Sequence, residues 1–578
     1  MRRPLERMRH QQLLLAATAC LISSVAAGLS GTVVGYQISI YDDLTPAFWV
    51  ALTGALVLFS VGLLRASARA SGTYIATNLF GLTVLNSFMV ALPALKYTTY
   101  YTQWDVWIHL GQAMSIARLG HVNLASYFYP SLDFFWVTIA QTTGTPTYVA
   151  GQLLGAPLEA LKIPLTYAIA ARLFRSQRVG SLAAILSTIP DGIVGMYPAP
   201  WFYALTLFLV LVLVLVVRTD KPGTAASLLT IVVSTSFVLS HPLGPVFLVV
   251  AFIIVALWAA VRKAARRATR RQATERIERS SVNLALYALV VYVAWISLLT
   301  LVLQVSLSQL ILAFTAEGVV NPVRFGPFFT LSLLLRIFGA YAILGIYWLA
   351  GLLVLYKAPM RHARLGMKLI VSITFSGVIV GLMFEGVASP PLLGDFIQRP
   401  LDVMILFLPI LGGLFLARSG YLLRNDRWRT LTTHAAIVVP FLLAAAAMYP
   451  SPYVALFNYQ NTRQLYSSID WTAVSVPQNS TVLSNSFVGR YAYYSILDGK
   501  TQYTKLYHLQ DTLPANLSQI REAAGNQTYL VSDKETVLVA GMDLRAWTFP
   551  SPDDTAALRN MSQVQLVYDN GEVQVYHW

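Results

Sequence analysis

The pattern of apolar and polar positions changes character once along this chain. Up to about residue 449, apolar residues come in blocks long enough to cross a hydrocarbon core, with polar residues confined to the gaps. Such a crossing takes about 20 residues of helix. The blocks predict spans near 12–34, 47–64, 74–95, 146–174, 179–198, 200–217, 223–241, 243–261, 284–304, 328–356, 368–388, 402–417 and 433–449. That is about thirteen at this length. Pro157, Glu159, Lys162 and Pro164 interrupt the fourth. The first, QQLLLAATACLISSVAAGLSGTVVG, exceeds the apolar core of a cleaved signal, and more blocks follow it, so it reads as a retained span.

From residue 450 the pattern turns to short alternating runs: NSTVLSNSF, QTYLVSD, ETVLVAG and VQLVYDNGEVQVYHW. Alternation of this kind predicts strands. Asp569, Asn570 and Gly571 in the last run predict a hairpin turn. With the helix-like LPANLSQIREAAG between them, residues 450–578 predict a small extracytoplasmic α/β domain after an all-α polytopic membrane domain at 1–449.

Composition agrees: 56% of the 578 residues are hydrophobic, 12% are charged, and mean hydropathy is +0.59. Soluble domains carry about 25% charged residues. The net charge of +15 raises the question of nucleic acid until the cations are located. They lie in RASAR, RLFRSQR, RTDK, the run at 262–280, KAPMRHARLGMK and RSGYLLRNDRWR, which alternate with gaps poor in Lys and Arg. Cytoplasmic loops carry that bias. The basic start MRRPLERMRH then places the N-terminus in the cytoplasm. The gaps at 35–46, 96–145, near 198, near 241, 305–327 and 389–401 fall outside, together with the tail. The basic run at 262–280 reads as a loop against anionic lipid heads, not as a nucleic-acid site. Sequons at Asn479, Asn516, Asn526 and Asn560 all fall in the tail. The single cysteine, Cys20, excludes an internal disulfide and a Cys-based zinc site.

No P-loop, GxGxxG before a helix, HExxH or GxSxG occurs, so nucleotide and zinc-protease chemistry have no sequence support. Ionisable residues near the membrane are costly and usually functional. The external set is Asp105, His109, Asp133, His241, Glu317, Arg324, Glu385, Asp395, Arg399 and Asp402. Asp105 and His109 stand one helical turn apart in WDVWIHLGQAMSIARLG, flanked by the interfacial residues Trp104 and Trp107. Val106, Leu110, Ala113, Met114 and Ala117 predict an apolar stripe ending at Gly120, and YPSLDFFWVTIA predicts a second amphipathic helix. Each residue also has a plain structural reading: Asp105 or Asp133 as a helix cap, His109 as a packed ring, His241 as the end of a span, Arg399 as a snorkelling cation. The many carboxylates leave room for a divalent metal, with no spacing that identifies one.

A loop with two interfacial helices opened by an acidic residue resembles the first catalytic loop of the GT-C glycosyltransferases. The D…H…G…YP series, SHPLGPVFL around His241, IQRPLDVMILFLPILGGL and SIYDDLTPAFWV extend the resemblance loosely over residues 36–420. It implies an inverting transferase that takes a sugar from a polyprenyl-phosphate donor and passes it to a lipid-linked glycan or protein acceptor outside the cell membrane. Asp105 would be the base, with His109 and Asp133 beside it. Arg399, Gln398, His241, Arg324 and Glu385 would bind substrate. WWDxG, the oligosaccharyltransferase signature, is absent. A transporter or flippase for lipid-linked glycans is the rival reading, but no repeat is seen. A noncatalytic assembly factor for surface glycoproteins is the third.

Overall fold

The computed structural model describes residues 2–31, 33, 35–97, 104–122, 130–190, 199–220, 223–241, 249, 253, 283, 286–295, 331–357, 390–419, 426–454, 458, 460–477, 480–484, 505–508, 528–533, 556, 558–562 and 564–577. The expected spans 243–261 and 368–388 lie essentially outside these, as do the 262–280 run, the ETVLVAG strand and the LPANLSQIREAAG helix.

Helices dominate as far as residue 445. In order they are α1 (Arg2–Leu29), α2 (Pro46–Ala68), α3 (Gly72–Tyr97), α4 (Trp104–Leu119), α5 (Ser131–Thr143), α6 (Thr147–Ala160), α7 (Lys162–Phe174), α8 (Gln177–Leu186), α9 (Pro200–Asp220), α10 (Thr224–Ser240), α11 (Leu331–Lys357), α12 (Pro390–Ser419) and α13 (Asp426–Ala445). Six stretches among the described residues are long and apolar enough to cross a membrane: His10–Leu29, Pro46–Ala68, Gly72–Tyr97, Thr147–Phe174, Pro200–Arg218 and Leu335–Val354. The apolar parts of α10, α12 and α13 are shorter. Only these six, not thirteen, are therefore established as membrane-length.

The block 146–174 is found as the membrane-length stretch Thr147–Phe174, divided at Leu161 into α6 and α7, and two other expected boundaries are corrected. Glu159 and Lys162 face each other there, both 6% exposed, and Lys162 Nζ also donates to the Ile189 carbonyl at 3.2 Å. In the described part of the block 179–198, helix α8 ends at Leu186 and residues 187–190 are not helical; 191–198 lie outside the described residues. Pro190 lacks the N–H that a continuing helix needs. Side chains from other helices take the exposed carbonyls instead: Asn86 Nδ2 donates to Thr188 at 2.9 Å and the Tyr341 hydroxyl to Pro190 at 2.8 Å. Finally, the expected outside loop at 389–401 is the first part of α12, so Gln398 and Arg399 are helical.

Close backbone approach fixes α12. A Cβ at Gly413 would lie 2.6 Å from the Ala183 nitrogen of α8. Only a small residue permits that contact.

The 35–46 gap and the start of the tail share one end of the bundle. The Tyr41 hydroxyl, in the turn Ile40–Asp43 between α1 and α2, donates to the Ala445 carbonyl at 2.8 Å and accepts from Tyr449 N at 3.1 Å. Burial pushes its phenol pKa well above the ordinary value. The Tyr449 hydroxyl donates to the Met89 carbonyl of α3 at 2.7 Å.

The tail is seated at this same end. Its helix α14 (Arg463–Ser475) precedes β1 (Thr481–Ser484), β2 (Lys505–His508), β3 (Thr528–Asp533), β4 (Gln565–Asp569) and β5 (Val573–His577). Strand β2 was not evident in the alternation. The sheet order is β2-β1-β3-β5-β4, parallel among the first three and antiparallel among the last three. Asp569, Asn570 and Gly571 turn the chain as expected: Gly571 has φ +85°, and Asn570 Oδ1 accepts from Glu572 N and Val573 N. Glu572 in turn accepts from Tyr36 N at 3.0 Å, and Gln460 from Gln37 N at 2.7 Å, so the α1–α2 loop holds the sheet to the bundle.

Candidate functional site

Helix α4 carries Val106, Leu110 and Ala113 on its buried face as expected, but Ala117 is exposed and Ile116 is buried in its place. The stripe follows i, i+3 spacing at its end, and Gly120 then stops the helix with φ +75°. Asp105 is the second residue of α4. His109, one turn on, is 1% exposed.

Helix α5 brings the next element. Its N-cap is Pro130, without a side-chain cap, and Asp133 lies in the first turn. Asp133 is fully buried, and its Oδ1 stands 3.3 Å from His109 Nδ1. Two residues that sequence placed on separate helices therefore form one buried acid–imidazole pair. The seat for the pair is built by α6: a Cβ at Gly151 would meet Leu110 Cδ2 at 2.6 Å and the Trp136 ring at 3.1 Å. A larger residue there would push α4 and α5 outward together.

Two further elements straddle the first turn of α5. Ser131 Oγ donates to the Leu239 carbonyl of α10 at 3.0 Å, and Phe135 stacks on Tyr203 of α9 with centroids 5.8 Å apart. Those contacts lie two residues from His241 and two from Trp201, respectively. His241 caps α10 in an extended conformation, φ −161° and ψ 138°. Its ring meets Trp201 edge to face at 4.9 Å. Trp201 Nε1 donates to Asp402 Oδ2 at 2.8 Å, with Asp402 7% exposed. Sequence reasoning had no place for Trp201. Its only signal was its position at the start of a span, beside a proline.

His109 and Asp133 form one pair, and His241, Trp201 and Asp402 form a second series; Ser131 and Phe135 of α5 link the helices that carry them. Asp105 is carried by the helix that holds His109. Gln398 and Arg399 occupy the turn of α12 that leads into Asp402. Arg324, Glu385 and Glu317 lie outside the described residues. Among the described residues no three His, Cys, Asp or Glu side chains group as metal ligands.

No protein-family model matches the chain, and no curated protein does. Among solved structures it is similar to the single-particle cryo-EM structure of the arabinofuranosyltransferase AftD from Mycobacteria. The TM-score is 0.48 and the identity 12%, over 86% of this chain and 39% of that one. The likeness is distant and concerns the fold alone. The present chain spans well under half of the length of AftD.

Proposed function

We propose that this chain is a GT-C-type membrane glycosyltransferase that moves a sugar from a polyprenyl-phosphate carrier to an acceptor at the extracytoplasmic face. The buried His109–Asp133 pair, one turn along α4 from Asp105, is the observation that carries the reading. A structural role alone gives little reason to bury a carboxylate completely beside an imidazole, because taking a charge out of water is costly.

The chemistry asks for three things. A base removes the proton from the acceptor hydroxyl; that oxygen attacks the anomeric carbon; and the bond from that carbon to the phosphate oxygen breaks with inversion. The polyprenyl phosphate leaves as an anion. Asp105 serves as the base. Asp133 at Nδ1 orients the His109 ring and fixes its tautomer, leaving Nε2 as the nitrogen turned toward the reaction. Arg399 meets the departing phosphate, since its planar fork matches two phosphate oxygens. His241, braced by Trp201, binds substrate beside it.

The test is turnover of a short-chain polyprenyl-phosphate sugar by the purified protein. Asp105→Asn keeps the shape of the side chain and removes the base, and general-base losses are commonly about a hundredfold or more. Asp133→Asn should lower kcat with little change in KM. A protein that melts like wild type and turns over normally after Asp105→Asn would remove the residue from the mechanism.

A further inference from the structure

A cavity lies where the α1–α2 turn meets the start of the tail. It is a groove of about 570 Å³ between the α1–α2 turn, the start of α2 and the end of α13. That volume is within the usual range for small-molecule sites, roughly 300–1,000 Å³. One wall is aromatic and held rigid: Tyr41 and Trp49 stack at 6.0 Å with rings 16° apart, while the Tyr41 hydroxyl is locked by Ala445 and Tyr449. The floor is apolar, with Leu442 of α13 and Ala446 just past its end.

Three features say what the groove takes. First, Ser451 lines it, is 1% exposed, and its buried Oγ has no hydrogen-bond partner among the described residues. A buried hydroxyl in that condition is costly until an acceptor arrives. Second, a cation stands at the rim. The Arg336 guanidinium lies 4.7 Å from the centroid of Tyr453, which lines the groove, and Nη1 donates to the Tyr453 carbonyl at 3.4 Å. Third, the adjoining surface is exposed and apolar, with Val50 73%, Val439 50% and Leu443 39% accessible. On helices of this composition that surface meets acyl chains. Asp42, also on the lining, disfavours a doubly charged phosphomonoester and favours a singly charged phosphodiester.

We infer that the groove binds an anionic membrane phospholipid. Its phosphodiester accepts from Ser451 Oγ and pairs with Arg336, and its tail lies between Trp49 and Leu442 and continues along the exposed face of α13. The occupant is a resident lipid, not the sugar donor. Helices α2 and α13 pack on α8, whereas α4 and α5, which carry the His109–Asp133 pair, pack on α6, α9 and α10.

Native mass spectrometry of the delipidated full chain, titrated with phosphatidylglycerol or phosphatidylcholine, tests this. Phosphatidylglycerol should be retained in preference. Arg336→Ala should weaken retention about tenfold, the loss of one charge-assisted contact, and Arg336→Lys should restore part of it. Ala446→Phe, which fills the groove, should abolish it. If that variant folds poorly, Ser451→Ala serves in its place. Removing an unpartnered hydroxyl leaves the lipid-free protein at least as stable, while the rise in melting temperature on adding phosphatidylglycerol should shrink. Equal retention of the two lipids, or retention unchanged in Arg336→Ala and Ser451→Ala, would overturn the assignment. So would displacement of bound phosphatidylglycerol by a short polyprenyl-phosphate sugar, which would make the groove a donor site.

Discussion

Lys162→Met should be among the most destabilising single changes in the membrane domain, and Glu159→Gln added to it should restore much of the loss. At the α6–α7 joint, Lys162 is the ammonium that faces Glu159, and both are buried. A void beside it, bounded by Thr166, Ile405, Leu406 and Tyr341, is about 10 Å³, at or below what one water needs. Methionine fills the space of the lysine stem but takes from the buried carboxylate the ammonium that faces it. Breaking a buried pair in this way costs about 3–5 kcal/mol. The Ile189 carbonyl, which Lys162 also satisfies at 3.2 Å, adds to the loss. Glu159→Gln alone should cost less, about 1.5–3 kcal/mol, because the ammonium keeps its carbonyl. In the double variant no charge is buried, so only the unsatisfied carbonyl remains, about 1–3 kcal/mol. Thermal unfolding followed by tryptophan fluorescence, all four proteins in one detergent, completes the cycle. The double variant should melt above Lys162→Met. Additive losses would show that the two groups do not interact and would refute the reasoning.

Two further outcomes follow from the bundle. Arg399→Ala should lower transfer by about 2–3 kcal/mol in kcat/KM, the range for a hydrogen bond to a charged group, with Arg399→Lys only partly restoring it. Near-normal kinetics in both would make Arg399 a snorkelling residue. Cysteines introduced at Val474 or Tyr453, both exposed at the tail end, should react with an impermeant thiol reagent on intact cells, whereas one in 262–280 should not. The reverse labelling would invert the orientation.

The parts legible in the sequence are those set by one local quantity. Block length announced α2, α3, α9 and α11, and alternation with a turn triplet announced the β4–β5 hairpin. Capping was not legible in that way. Past the end of α8 at Leu186, the carbonyls of Thr188, Ile189 and Pro190 are taken by Asn86, Lys162 and Tyr341, and those partners lie far off in sequence. Helix α12 starts at Pro390 in a stretch, PPLLGDFIQRPL, whose prolines and charges read as a loop. Proline suits a first turn, where its missing N–H has no role, so composition misled there.

The candidate site shows the same division. Asp105 and His109 were readable because i and i+4 share a face. The Asp133 contact needs α5 folded back on α4, and the Trp201–Asp402 bond joins positions 201 residues apart. Glu159 and Lys162 held a readable signal that was taken for an interruption: opposite charges at i and i+3 neutralise each other on one face. These polar groups fall at helix ends, joints and caps, where backbone N–H and C=O groups already need partners. A buried lysine or tryptophan N–H is cheapest to keep there, because the donor it presents meets an acceptor the fold must satisfy anyway. The same economy places reactive side chains beside the membrane boundary without breaking an apolar span. The two long-range pairs each join different helices, α4 with α5 and α9 with α12, so each is a product of packing and not of local sequence.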